Sequence, residues 1–170
     1  MNEKDGVVER ERAVRRREKE IKDIKRIEAV LKKANICRIG LSDADGPYIV
    51  PVCFGYRDRT LYFHCAPEGR KISILRRNAR VCVEADTDVE FVPHKTACGW
   101  TLKYRSVIGF GSARILEDRE AKREGLSVIM AHYARGSFQF PDETVDRTAV
   151  VRIELESLTG KQSGYGGDKP

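Results

Sequence analysis

Two adjacent cations, Arg70 and Lys71, stand where a predicted strand passes through a tight loop into a predicted helix. The strand, residues 61–65, is aromatic and apolar, and Pro67 and Gly69 break the chain after it. The first N–H groups of a helix lack internal partners, so cations beside them favour binding of a phosphate or another anion. An ordinary strand-to-helix connection with a solvated basic pair explains the same residues, and chemistry alone favours that simpler interpretation.

Three aromatic side chains near this stretch or on a later strand leave their roles open. His64 alternates with Phe63 in the strand and should therefore point to the opposite face. A histidine among aromatic residues is more often packed or hydrogen-bonded than catalytic. Trp100 and Tyr104 fit either a core or a ring-stacking role, and a core position is the better expectation without context.

Several classes of active site are excluded by motif. The chain has no G-x-S-x-G elbow, no Walker motif and no Rossmann fingerprint, and the short Gly109-Phe110-Gly111 run does not qualify as a dinucleotide loop. The 5 cysteines include no CxxC pair and the 3 histidines are far apart, so we expect no metal site. We expect these cysteines to be reduced, buried thiols in a reducing compartment.

Composition indicates one soluble domain. The chain has 170 residues, 41% hydrophobic and 34% charged, with no apolar run long enough to cross a bilayer. Its N-terminus is charged and does not resemble a signal peptide, so we expect a cytoplasmic protein. The net charge of +6 is compatible with nucleic acid or a phosphorylated cofactor, but no nucleic-acid-binding motif is present.

The hydrophobic pattern predicts about six strands with antiparallel connections. The predicted strands are residues 35–42, 48–56, 61–65, 80–86, 100–116 and 148–158. The first three of these should form an antiparallel meander. The predicted helices are residues 7–33, 71–78 and 117–135. A mainly β protein, built as a small closed or partly closed β-barrel with peripheral helices, fits this order best.

Proline and glycine mark special positions in these strands. Pro51 cannot donate a ladder hydrogen bond, which predicts a sheet edge, a bulge or a gap that faces a ligand. Gly109 and Gly111 lie two apart on one face, which predicts strong bending or a close neighbour. We divide the chain into a charged N-terminal helical extension (1–20), a barrel domain (21–161) and a flexible tail (162–170).

Five short segments in a set order resemble the FMN-binding split-barrel family related to pyridoxamine-phosphate oxidase. They are residues 51–56, 61–66, 69–71, 78–82 and 104–109. The most similar subgroup is the nitroimidazole-resistance-like flavoproteins, and the resemblance covers roughly residues 21–161. It implies a six-stranded antiparallel split barrel and a homodimer with two FMN sites at its interface.

The resemblance also implies which residues form the cofactor site. Arg70 and Lys71 would hold the FMN phosphate. Backbone from two strands would border the isoalloxazine ring, namely at Val50, Pro51, Val52, Phe63, His64 and Cys65. A third strand, partly from the other protomer, would complete the pocket with Tyr104, Ser106 and Val107. His64 would lie near the flavin or the substrate and is the best candidate for a proton donor.

The chain departs from true pyridoxamine-phosphate oxidases in two ways. It lacks their C-terminal Arg-containing substrate motif, so vitamin B6 synthesis is not expected. Cys65 stands where many relatives of the subgroup have Ser. FAD and a deazaflavin are alternative cofactors, and haem ranks below them because the histidines are isolated.

The sequence thus predicts an FMN-dependent oxidoreductase that acts on a small organic acceptor, with nitroaromatic compounds as candidates. The cofactor would carry the redox chemistry, while the protein would position it and exclude water. One alternative is a non-catalytic flavin- or deazaflavin-binding protein, such as a store or sensor. A nucleic-acid-associated protein that uses the basic N-terminal helix is the remaining alternative.

Overall fold

Antiparallel β-strands dominate the computed structural model, which describes residues 14–166. The strands are β1 (Glu20–Ile21), β2 (Cys37–Asp43), β3 (Gly46–Val52), β4 (Phe54–Arg57), β5 (Thr60–Cys65), β6 (Arg80–Val92), β7 (Thr101–Leu116) and β8 (Ala149–Ser163). The α-helices are α1 (Ile24–Lys33), α2 (Arg70–Arg77), α3 (Arg119–Tyr133) and α4 (Asp142–Asp146). The predicted mainly β class with peripheral helices is confirmed, but residues 14–166 contain eight strands instead of six, because the predicted strand 48–56 is divided in two and β1 is added.

The strands form one sheet in the order β3-β2-β6-β7-β8-β5-β4, and β1 adds to β8. The predicted strand 48–56 is interrupted at Cys53, and its halves pair at opposite ends of this order. Because β3 runs almost directly into β4, the two ends of the sheet are brought together into a split barrel. The predicted meander is therefore wrong, since β3 pairs only with β2 and β4 pairs with β5.

The N-terminal helix is shorter than predicted. Residues Arg17–Lys19 form a 3-10 turn, and β1 then pairs Glu20 with Lys161. The helix α1 begins only after Asp23, whose side chain accepts a hydrogen bond from the Lys25 N–H and caps the first turn. The rest of the predicted helix, residues 7–13, lies outside the described residues, and the domain boundaries stay a prediction.

The C-terminal part is more ordered than predicted. Strand β8 continues to Ser163, five residues past the predicted end at Leu158. Gln162 is 2% exposed, and its Oε1 accepts a hydrogen bond of 3.1 Å from Arg26 in α1. Polar residues in this stretch therefore serve as anchors, and β8 includes the first two residues of the predicted tail, 162–163.

Two glycines allow close contacts that shape the barrel. A side chain at Gly111 in β7 would overlap the carbonyl oxygen of Glu154 in β8, beside a bulge in the pairing of these strands. A side chain at Gly55 in β4 would overlap the backbone of Val128 in α3. The close neighbour predicted for the Gly109–Gly111 face is confirmed, and α3 packs directly on β4.

Candidate functional site

The two cations of the predicted phosphate site lie in the first turn of α2. Gly69 precedes the helix with φ +110° and ψ 172°, a backbone conformation that is nearly exclusive to glycine. No side chain caps this helix start, and its first turn holds no acidic residue. Ile72 and Ile74 are buried in the barrel core and fix the helix in place. The predicted strand–loop–helix arrangement is confirmed, and it leaves backbone N–H groups at the helix start available.

Both cations rest on aromatic rings of neighbouring strands. The guanidinium carbon of Arg70 lies 4.7 Å from the ring centroid of Tyr48 in β3. The Nζ atom of Lys71 lies 5.3 Å from the ring centroid of Phe63 in β5. Within residues 14–166, neither cation forms an ion pair with a carboxylate. Two positive charges without acidic partners therefore converge at a helix start, which is the electrostatic arrangement that favours an anion.

The predicted ring-bordering residues on β3 and β5 come together because Phe54 pairs with Phe63 directly after the break at Cys53. Two of these residues, Val52 and Phe63, are buried in the core and can offer a ligand only backbone atoms. The other four are accessible to different degrees: Pro51 and His64 are exposed, and Val50 and Cys65 are half-buried. His64 indeed points away from the core, opposite to Phe63, and Pro51 lies on an edge strand, as predicted.

The remaining predicted residues lie on β7, away from the cations. Val107 is fully buried, whereas Tyr104 and Ser106 are half-buried on the outer face of the sheet. Through β2 and β6, Ile49 of β3 aligns with Phe110 of β7. Tyr104 is six residues from Phe110, about 20 Å of extended strand. Tyr104 and Ser106 are therefore displaced along β7 by six and four residues from the level of Ile49, next to the Tyr48 ring that Arg70 contacts.

A charged cluster on the same outer face was not predicted from the sequence. The Nη1 atom of Arg38 in β2 lies 2.9 Å from Glu84 and 2.5 Å from Asp86, both in β6. Burial, opposed by the hydrogen bond from Arg38, raises the pKa of Glu84 above its ordinary value. Asp86 pairs with Ser106 in the β6–β7 ladder, and Arg38 pairs with Pro51 in the β2–β3 ladder. The cluster thus lies between the predicted site residues of β3 and β7, and only the strand register reveals it.

Large apolar side chains are exposed on or near this face. They include Ile49 (66% exposed), Ile108 (42%), Phe91 (75%) and Trp100 (56%). The expectation of a core position for Trp100 is therefore wrong, because the β6–β7 hairpin that ends near it extends beyond the packed sheet. Such a set of exposed apolar residues is typical of a surface that another molecule covers.

The thiols and histidines of the described residues differ in burial and in their partners. All five cysteines are unpaired, but only Cys37 is buried, which corrects the prediction that they are buried as a group. Burial raises the pKa of Cys65, and the Lys71 charge opposes this effect. His132 donates from Nε2 to the Ala34 carbonyl oxygen at 2.7 Å. Among the described residues, no group of acidic, histidine and cysteine side chains is arranged to hold a metal ion.

A cavity lies away from the predicted cofactor residues. It has a volume of about 650 Å³ and lies between α1, β4 and α3, next to Tyr56, His132 and Phe138. Its two cations are neutralised, since Lys32 lies 3.9 Å from Glu28 and Arg57 pairs with Glu124. We therefore place the candidate site at Arg70 and Lys71, where the charges are unpaired. None of the helices in the described part of the chain could span a membrane.

Comparisons with known proteins show similarity in sequence and fold. A sequence model described as pyridoxamine 5′-phosphate oxidase matches residues 23–162. A crystal structure from Bacteroides thetaiotaomicron, of a protein provisionally assigned to 5-nitroimidazole antibiotic resistance, is 36% identical with a TM-score of 0.76, over 84% of this chain and 86% of that one. No curated protein matches the sequence.

More distant structures share the fold alone. The flavocytochrome Anf3 of Azotobacter vinelandii has a TM-score of 0.80 at 19% identity, over 95% of this chain and 77% of that one. An FAD- and haem-binding protein of Mycobacterium smegmatis has a TM-score of 0.78 at 18% identity, over 90% and 77% of the two chains.

Proposed function

The chain belongs to the pyridoxamine 5′-phosphate oxidase family, and from this premise we propose that it is a flavin-dependent oxidoreductase that reduces a small organic acceptor. The candidate acceptors are nitroaromatic compounds, because the relative from B. thetaiotaomicron is linked to 5-nitroimidazole resistance. The observation that carries the proposal is the pair of cations at the start of α2, unpaired with any carboxylate in the described chain and set against aromatic residues of β3 and β5.

The cation pair suits the terminal phosphate of FMN. A phosphate dianion accepts several hydrogen bonds, and the Arg70 guanidinium, the Lys71 ammonium and the free N–H groups of the first α2 turn can donate them. The contact of each cation with an aromatic ring restricts its motion, which lowers the entropy lost on binding. FAD would place a diphosphate here and extend further, so FMN is the simpler fit.

A second copy of the chain would complete the site. Tyr104 and Ser106 lie six and four residues along β7 from Phe110, which is level with Ile49 beside Tyr48, the residue that Arg70 contacts. The exposed apolar residues Ile49, Phe91 and Ile108 provide a surface that a second copy can cover. In such a homodimer, Tyr104 and Ser106 of one protomer would border the flavin held by Arg70 and Lys71 of its partner.

When bound, the flavin supplies the hydride and electron chemistry. The side chains of this protein bind the phosphate, and the β3 and β5 backbone orients the ring. His64 is exposed beside this region and can carry a proton on an imidazole nitrogen, which makes it our candidate proton donor to the acceptor. The five unpaired thiols support our proposal that the protein works in a reducing compartment such as the cytoplasm.

Steady-state assays test this proposal. The protein, reconstituted with FMN, should oxidise NADH or NADPH and transfer the electrons to members of a nitroaromatic panel. Flavin uptake without turnover on either donor would support a non-catalytic flavin store or sensor instead. A haem spectrum with no flavin uptake would contradict the proposal. His64→Gln should lower kcat with little change in flavin affinity, because it removes the proton donor and keeps a polar side chain of similar size.

A further inference from the structure

The β7 segment that carries Tyr104 and Ser106 is fixed from the opposite face of the sheet. Arg105 stands between these two residues, and its Nη1 atom lies 2.5 Å from Asp88 Oδ2 in β6. Successive side chains of a strand point to opposite faces. Holding Arg105 on the inner face therefore also sets the direction in which Tyr104 and Ser106 project from the outer face.

Asp88 lies in a β-bulge and adopts an unusual backbone conformation. Its φ is +56°, and the pairing of β6 with β7 shifts register between Thr87 and Glu90. A positive φ is unfavourable for a residue other than glycine, although aspartate tolerates it better than most. Surrounding contacts are therefore expected to maintain the bulge, which sets the course of the β6–β7 hairpin beyond it.

These contacts come from α1, β7 and the C-terminal residues. Lys33 of α1 forms an ion pair with Oδ1 of Asp88, and Arg105 pairs with Oδ2. The hydroxyl group of Tyr165 donates to the Asp88 carbonyl oxygen at 2.7 Å. The guanidinium carbon of Arg105 also lies 4.1 Å from the ring centroid of Tyr165. The backbone and the carboxylate of Asp88 are thus both held in place.

The C-terminal segment is itself anchored on earlier elements. Gln162 accepts a hydrogen bond from Arg26 at 3.1 Å and donates one to the Gly166 carbonyl oxygen at 3.1 Å. Ser163 Oγ accepts a hydrogen bond from Lys19 Nζ at 2.8 Å. Tyr165 therefore reaches Asp88 from a fixed base, so its contact can restrain the bulge.

We propose that Asp88, Arg105 and Tyr165 form a clamp by which the C-terminal segment positions the Tyr104–Ser106 border of the flavin site. This inference rests on the proposed flavin function, and it makes the three members positioning residues that act through β7. It also assigns a role to the C-terminal residues 162–166, which would secure the ring side of the site while Arg70 and Lys71 secure the phosphate.

Effects on the ring side and on the phosphate side of the site can be distinguished by comparing the binding of FMN with that of riboflavin, which lacks the phosphate. Tyr165→Phe removes the hydroxyl donor but keeps the ring under Arg105. It should weaken binding of both ligands about three- to tenfold, the effect of one lost hydrogen bond. Asp88→Asn keeps a side chain that tolerates positive φ but removes the charge, and should weaken both ligands about tenfold. Equal losses for the two ligands would place the effect at the ring and not at the phosphate.

Glu90→Gln supplies the matched control on the same hairpin. Glu90 pairs with Lys103 at 3.2 Å, beyond the bulge, so its variant loses a surface ion pair without loosening the clamp. It should bind both ligands as the unmodified protein does. Hydrogen exchange in the flavin-free protein gives a second readout. Amides of residues 86–90 and 103–107 should exchange faster in Tyr165→Phe than in Glu90→Gln.

The outcomes separate the clamp from the function on which it rests. If the unmodified protein binds flavin and Tyr165→Phe binds FMN and riboflavin as tightly as the unmodified protein does, the clamp is overturned and the proposed function stands. If the unmodified protein binds neither ligand, the proposed function fails and the clamp's role in a flavin site fails with it. Faster exchange at the bulge together with matched losses of FMN and riboflavin affinity would support the clamp.

Discussion

Arg70, at the start of α2, lies with its guanidinium carbon 4.7 Å from the ring centroid of Tyr48 in β3. The contact joins a helix start to the edge strand of the sheet, where Pro51 interrupts the pattern of ladder donors. Lys71 makes the equivalent contact with Phe63 of β5 at 5.3 Å. Both strands and the helix start thus meet at one place.

Replacing Lys71 should weaken FMN binding by removing one charge-assisted contact to the phosphate. We expect Lys71→Ala to cost about 1–3 kcal/mol of FMN binding free energy, measured by quenching of flavin fluorescence. Riboflavin affinity should stay unchanged, because riboflavin carries no phosphate. Arg76→Ala, at the opposite end of the same helix, removes a similar charge and should leave both affinities unchanged. An equal loss for FMN and riboflavin in Lys71→Ala would argue against the phosphate assignment.

Gly69 should be needed for the geometry of the helix start. Gly69→Ala forces a side chain into a conformation that is nearly exclusive to glycine, although the surrounding space is open. We expect a loss of about 1–3 kcal/mol in unfolding free energy, from urea denaturation, together with weaker FMN binding. Gly136→Ala is the control, because Gly136 has φ +128° and equally open surroundings but lies after α3. The Gly136→Ala variant should lose stability and retain FMN affinity. A loss of FMN affinity in Gly136→Ala would contradict a local effect of Gly69 on the FMN site.

Gly111 should be needed for the close contact between β7 and β8. A methyl group at this position would overlap the Glu154 carbonyl oxygen, so the strands must separate. We expect Gly111→Ala to lower the unfolding free energy by about 3 kcal/mol in urea denaturation. A methyl group at Gly40 in β2 would meet Cys82 only at the ordinary contact distance of 3.4 Å. A similar loss of unfolding free energy in Gly40→Ala would show that losing a glycine from the sheet, and not the overlap with the Glu154 carbonyl oxygen, destabilises the protein.

Alkaline pH should destabilise the protein through the buried thiol of Cys37. Burial raises the pKa of Cys37 from 9.0 to about 12. Between pH 9.0 and about 12 the Cys37 thiol loses its proton in the unfolded chain and keeps it in the folded chain. Its contribution to the free energy of unfolding is therefore fully present below pH 9.0 and is lost as the pH rises toward 12. Cys37→Ala should flatten this decline by up to about 1.4 kcal/mol per pH unit, measured by urea unfolding at several pH values.

An exposed thiol gives the control for this pH dependence. Cys98 is exposed, so Cys98→Ala removes a thiol without disturbing the core and serves as the matched variant for Cys37→Ala. Parallel curves for the Cys37→Ala variant and the unmodified protein would contradict the role of the buried thiol. Tyr56→Phe should flatten the decline in the same way above pH 10.0, because burial and the bond to Glu28 raise the Tyr56 pKa to about 12.

The features that local residues determine could be predicted from the sequence. Pro67 and Gly69 mark the passage from β5 to α2, and alternation places Phe63 inside and His64 outside. Gly111 signals a close neighbour because only glycine fits there. In each case the cause lies within a few residues of its effect, so a single sequence contains it.

Features that depend on distant pairing could not be predicted in this way. The break at Cys53 follows from β3 and β4 having different partners, which no local pattern reveals. The Arg38–Glu84–Asp86 cluster exists only because of the register between β2 and β6. The sequence predicts that Gln162 belongs to a polar tail, and only its hydrogen bond with Arg26 explains why its side chain is buried. For the same reason, Tyr104 and Ser106 could be linked to a flavin by resemblance but not by geometry within one chain.

Native mass spectrometry of the protein, purified without added cofactor and again after incubation with excess FMN, tests the central claim most directly. We predict a dimer that carries two flavin nucleotides, whose identity the mass of the released ligand gives. The Lys71→Ala dimer should lose the nucleotide at lower collision energy than the Arg76→Ala dimer. A protein that remains free of flavin in excess FMN, or a monomer that holds flavin without a second copy, would contradict the account.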